Sequence, residues 1–122
     1  RLREADVNVA FGWYVRGTSD DGLTNAIPLG ADGFRGGYRA GELAAMGEPL
    51  EVKGCGMGCA LVRAEVFERV GKPWFLFREN ANGTELSEDF FFCERCAENG
   101  IGLYVHPLVG CGHVHDRVLE AR

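Results

Sequence analysis

Residues 87–105 read SEDFFFCERCAENGIGLYV, and three local signals in that run decide the architecture. Ser87 is a favoured helix N-cap residue, and Glu88 and Asp89 fall in the first turn, where the helix dipole favours negative charge. Asn99-Gly100 supplies a stop, so a helix is expected from Glu88 to about Glu98. Phe91, Cys93, Cys96 and Ala97 mark its buried stripe, and three consecutive Phe imply burial on more than one side. Ile101 to Pro107 then alternates as a strand. A helix that feeds directly into a strand predicts a mixed α/β unit.

Upstream of that run, residues 78–86 read as a polar loop, and Lys72 to Phe77 as an extended segment, because Pro73 biases its predecessor away from helix. Arg63 to Gly71 predicts a short helix in which Val62, Val66 and Phe67 or Val70 share a face and Gly71 caps the end. Glu51-Val52-Lys53 reads as a short strand entering Gly54-Cys55-Gly56-Met57-Gly58-Cys59. Glycines at alternate positions strip the side chains from one face, so a ligand or another backbone can approach closely. Val7 to Arg16, rich in β-branched and aromatic residues, reads as a strand. Residues 17–41 read as a long loop, of the kind that tends to be functional or mobile in compact domains. Downstream, Leu108 to Gly112 forms a second extended piece leading into His113-Val114-His115. With no internal repeat and no linker, residues 1–122 are expected to form one domain.

The composition fits that expectation. A chain of 122 residues with 46% apolar and 25% charged side chains is of ordinary single-domain character. A net charge of −5 with scattered Lys and Arg argues against nucleic-acid binding, which needs a clustered basic surface. No stretch approaches the roughly 20 apolar residues that span a bilayer, and the start lacks a signal-like pattern. Five cysteines, an odd number, fit a reducing cytoplasmic setting better than a secreted disulfide framework. The opening Arg1 leads us to expect a longer reading frame upstream.

Three features can carry chemistry. Glu88-Asp89 at a helix start is explained by dipole complementation, worth about 0.3–1 kcal/mol per acid. It also suits a general base, since adjacent acids there point in different directions and one can face a pocket. In an extended segment His113 and His115 share a face, which suits metal binding; a surface or core role is the plainer alternative. Cys93, Cys96, Cys111 and His113 could form a structural zinc site. Against this, Cys93 and Cys96 lie within a helix, where free Cys behaves as a small hydrophobe.

In order, these pieces resemble the second half of a GT-A-type glycosyltransferase, closest to family 2 and the polypeptide N-acetylgalactosaminyltransferases. GCGMGCALVRAEVFERVGKPWF (54–75) resembles the family's glycine-rich segment and following helix. SEDFFFCERCAENGIGLYV resembles its acidic motif, and HPLVGCGHV (106–114) the closing strand whose His reaches the metal. GWYVRG (12–17) resembles the strand that follows the nucleotide-binding half. The resemblance implies a partial, Rossmann-like GT-A fold lacking most of its nucleotide-binding half, and metal-dependent transfer from a nucleotide-diphosphate sugar to a glycan, lipid or protein hydroxyl.

The resemblance also implies roles for individual residues. Asp89 would be the general base of an inverting reaction, with Glu88 orienting the acceptor; a retaining outcome of the N-acetylgalactosaminyl type is also compatible. His113, or failing it His115, would bind Mn2+ or Mg2+. Gly56, Met57 and Gly58 would line the donor sugar, and Trp74 would stack on an acceptor sugar or else pack in the core. The family's Asp-x-Asp motif is expected upstream, since Asp20-Asp21 lacks the spacing and reads as a solvated loop pair. The missing sheet edge implies exposed apolar surface and self-association, and the 122 residues alone are expected to be inactive. Two other readings stay open: a non-catalytic binding or assembly module derived from a transferase, and a small zinc-binding domain.

Overall fold

The computed structural model describes residues 7–15 and 22–111. Along them run β1 (Val9–Trp13), β2 (Ala26–Ile27), α1 (Ala40–Ala44), β3 (Leu50–Val52), β4 (Gly54–Cys55), β5 (Ala60–Val62), α2 (Ala64–Val70), β6 (Arg78–Glu79), β7 (Glu85–Leu86), α3 (Glu88–Glu98) and β8 (Leu103–Gly110). The main sheet has the order β3-β8-β1-β5. β1 pairs antiparallel with β5 and parallel with β8, and β3 pairs antiparallel with β8. The protein is therefore mixed α/β with a mixed sheet. Among the described residues, no helix is long and apolar enough to cross a membrane.

β1 is central, and its Val9, Ala10 and Phe11 are all buried, as expected of a strand covered on both faces. Side chains alternate along a strand. Val9, Phe11 and Trp13 accordingly join the main hydrophobic core, while Ala10 and Gly12 point the other way. The core is closed by α3, which contributes Phe92, Cys93 and Cys96, and by α2, which contributes Val66 and Val70. Phe92 is fully buried and lies against Phe67 and Phe75, with ring centroids 5.5 Å and 5.1 Å away.

The α3 span and its Ser87 N-cap position agree with the sequence reading, although the Ser87 side chain makes no capping hydrogen bond. Its buried stripe is corrected in one place: Ala97 is exposed, and Phe92 is buried instead. The three Phe do bury in different directions, with Phe90 stacking on Phe34 at 4.9 Å, away from the Phe67–Phe75 side. α2 ends where Gly71 adopts φ 72°, a conformation that disfavours other residues.

Three expectations change. The segment read as a loop over 17–41 contains β2 and the start of α1, and Ala26–Ile27 pairs with Gly54–Cys55. The polar stretch 78–86 closes into a hairpin through β6 and β7. The two extended pieces after Ile101 merge into β8, with an irregularity in its register against β1 between Phe11 and Trp13. In each case tertiary pairing supplied order that local composition did not signal.

Candidate functional site

The glycine-rich turn and the first turn of α3 meet. Asp89 Oδ2 accepts a hydrogen bond from the Met57 backbone N–H at 2.9 Å, and further along α3 the Cys93 thiol donates to the Cys55 carbonyl at 3.6 Å. Asp89 is half-buried, and no Lys or Arg among the described residues forms an ion pair with it. Its carboxylate is thus held at one oxygen by a neutral donor, with no cationic partner among the described residues. Such a group can accept a proton from a hydroxyl placed beside it.

Two residues that sequence reasoning missed complete this corner. Asn25, 96% buried by its 4% exposure, accepts from the Tyr14 backbone N–H at 3.0 Å and donates to the Gly56 carbonyl at 3.4 Å. It ties the end of β1 to the glycine turn. The Tyr14 ring lies across that turn, and a side chain at Gly56 would meet the Tyr14 hydroxyl and the Asn25 amide. Burial raises the Tyr14 phenol above its ordinary value; the Asn25 side-chain hydrogen bond opposes the rise, and the nearby Asp89 charge adds to it. Tyr14 therefore stays protonated at neutral pH. The long-loop reading of 17–41 was the one available signal for Asn25.

The alternate glycines thus admit close approach by aromatic side chains of the protein itself. Gly56 and Gly58 lie under Tyr14, and Gly54 lies under Phe34 and Phe90. Gly56 is buried, Met57 half-buried and Gly58 exposed. Replacing Gly56 with Ala is expected to displace Tyr14 and cost about 1–3 kcal/mol, the usual range for overpacking. Gly30, where an added Cβ meets nothing within 4 Å, is the control. Urea unfolding of the two Ala variants tests this, and equal midpoints would show that the Tyr14 contact is slack.

Glu88 is exposed beside Asp89. Trp74 is half-buried: its indole N–H donates to the Phe67 carbonyl at 2.9 Å, its ring meets Phe67 edge-on, and Lys72 Nζ lies 5.4 Å from its centroid. A groove of about 630 Å³ opens on the neighbouring flank of α3, where Phe90, Ser87 and Glu94 face Arg78 and Asn80. Asp89 does not line it. Arg78 and Glu94 are paired there through two hydrogen bonds of 3.0 and 3.3 Å.

His113, His115 and the Asp20-Asp21 pair lie outside the described residues. Among the described residues no three His, Cys, Asp or Glu side chains group as metal ligands. The zinc set of Cys93, Cys96 and Cys111 is not assembled. Cys93 and Cys96 are buried in the α3 interface, and burial pushes their thiols up to about 12 and about 11, which suits inert core residues. Cys111 instead faces Cys59. No protein-family model matches the chain, and no curated protein matches it.

Proposed function

We propose that the chain is the acceptor-side half of a GT-A-type, nucleotide-sugar-dependent glycosyltransferase, with Asp89 as the base that takes the acceptor hydroxyl proton. The observation that carries this reading is the Met57 N–H to Asp89 bond of 2.9 Å. It sets a carboxylate at the start of a helix against a glycine-rich turn, the two pieces that the family resemblance assigns to the general base and to the donor sugar. In this reading Oδ2 stays anchored while the other oxygen accepts the proton. Glu88, exposed beside it, orients the acceptor, and Tyr14 holds the turn in place from behind. The acceptor is a glycan, lipid or protein hydroxyl, and the setting is cytoplasmic, in keeping with five free thiols.

The reading assigns Mn2+ or Mg2+ to His113 or His115, together with the Asp-x-Asp motif expected upstream. The described residues hold no three-ligand cluster of their own, so they do not supply this ion's ligands unaided. When bound, such an ion neutralises charge on a leaving diphosphate.

The test uses the native polypeptide that carries this sequence, incubated with labelled nucleotide-diphosphate sugars and candidate acceptors in the presence of manganese. Transfer that is lost on chelation and restored by manganese is expected, and removing both His113 and His115 should abolish it. Absence of transfer and donor hydrolysis across the common nucleotide sugars would replace the enzyme reading with a binding or assembly role.

A further inference from the structure

Cys59 and Cys111 stand on either side of Gly12. The Gly12 N–H donates to the Cys59 carbonyl at 2.8 Å, and the Cys111 N–H donates to the Trp13 carbonyl at 2.7 Å. The two cysteines therefore flank β1 from opposite sides, Cys59 just before β5 and Cys111 just after β8. Both thiols turn inward over the glycine: each sulfur lies 3.0 Å from the point where a Gly12 Cβ would stand. The Cys111 thiol donates to the Val109 carbonyl at 3.9 Å. Both are partly exposed, whereas Cys55, Cys93 and Cys96 are buried.

Strand spacing decides what such a pair can do. Neighbouring strands lie about 4.8 Å apart, so residues two strands apart have Cα atoms separated by roughly 9–10 Å. A disulfide needs about 4.4–6.8 Å between Cα atoms, and β1 stands between the two cysteines. A metal ion bridges the gap more readily, because two metal–thiolate bonds of about 2.3 Å each span up to about 4.6 Å between sulfurs. Zinc prefers four ligands, and the described residues offer no third donor here. Thiolates alone select soft ions, monovalent copper foremost among those that accept few ligands.

We propose that Cys59 and Cys111 form a two-thiolate binding site for Cu(I), with Gly12 leaving the space between them. Binding forms two Cu–S bonds and releases both thiol protons to solvent. It leaves a bis-thiolate complex of charge −1 with no change of oxidation state. The site is independent of the transferase reading.

The test titrates Cu(I) anaerobically into the protein against a chromophoric Cu(I) chelator. Cys59→Ser and Cys111→Ser are each expected to weaken binding at least about tenfold, since loss of even the outer partners of a metal ligand costs 10–100-fold. Gly12→Ala, whose methyl group would meet both sulfurs at 3.0 Å and Val109 Cγ1 at 2.9 Å, should do the same with both thiols retained. In the unaltered protein, one equivalent of Cu(I) should protect Cys59 and Cys111 from alkylation, read residue by residue by peptide mapping. That readout stands even where a variant fails to fold. Unprotected thiols, or variants that bind Cu(I) within a factor of two of the parent, would overturn the proposal. So would ready formation of a Cys59–Cys111 disulfide under mild thiol–disulfide exchange, because it would show that the strands do not hold the two residues apart.

Discussion

Replacing Asp89 with Asn is expected, on the proposed glycosyltransferase reading, to lower sugar transfer about 10²–10⁴-fold, the usual contribution of a positioned acid–base group, and to leave the fold standing. The structure separates the two effects. Asn keeps a carbonyl oxygen able to accept the Met57 N–H, so the 2.9 Å anchor between α3 and the glycine turn survives. What disappears is the charge and the basic oxygen. At 1.36 kcal/mol per tenfold, the loss corresponds to about 2.7–5.4 kcal/mol of barrier. The dipole benefit of one acid in a first turn is only about 0.3–1 kcal/mol, so stability should barely move. Glu88→Gln is the local comparison: Glu88 shares the turn but is exposed and orients the acceptor in this reading, so its loss should raise the acceptor KM more than it lowers kcat. The measurement is kcat with the unfolding midpoint taken in parallel. An Asp89→Asn enzyme with near-parental kcat would reduce Asp89 to a helix-start acid bonded to a backbone amide.

Much of this corner was legible in the sequence because its signals are local. Ser87, the two acids and Asn99-Gly100 mark the ends of α3 by residue preference and dipole complementation, which act within one turn, although the Ser87 side chain makes no capping hydrogen bond. Gly71 likewise marks the end of α2. The partners of those elements were not legible. Asn25 reaches Gly56 across 31 residues of sequence and Tyr14 across 11, and nothing in a Gly- and Asp-rich segment distinguishes that Asn from a solvated turn residue. The spaced glycines 54, 56 and 58 were visible, but not what they admit, since Tyr14 and Phe34 arrive from distant parts of the chain. The Cys59–Cys111 pair was hidden for a related reason. Spacing suggests Cys93 with Cys96, whereas the sheet order brings Cys59, just before β5, and Cys111, just after β8, to the two sides of β1. His113 and His115 fall outside the described residues, so the geometry neither adds to nor subtracts from their assignment.

Phe92→Ala is expected to cost about 3–5 kcal/mol, the range for truncating a buried aromatic. That is a large share of the 5–15 kcal/mol that keeps a typical domain folded, and the unfolding midpoint should fall by on the order of ten to twenty degrees. Phe92 has no exposed surface and sits where α3 meets α2 and the extended segment after it, touching Phe67 and Phe75. Truncation leaves a cavity lined by those two rings. It also frees Phe75, which is already 41% exposed and has Phe92 as its stacking partner. Phe77, only two residues further on, is 58% exposed, and Phe77→Ala should change the midpoint little. Phe92 lies one helical turn beyond Asp89, on the stretch of α3 that presses against the core. A shift of α3 into the cavity would therefore stretch the Asp89–Met57 bond, and transfer should fall further than the folded fraction alone explains. Thermal unfolding of the two Phe variants, followed by kcat per folded molecule, tests both steps. Equal midpoints would mean that Phe92 does not anchor α3. A lower midpoint with unchanged kcat per folded molecule would mean that the glycine turn holds Asp89 in place without support from the core.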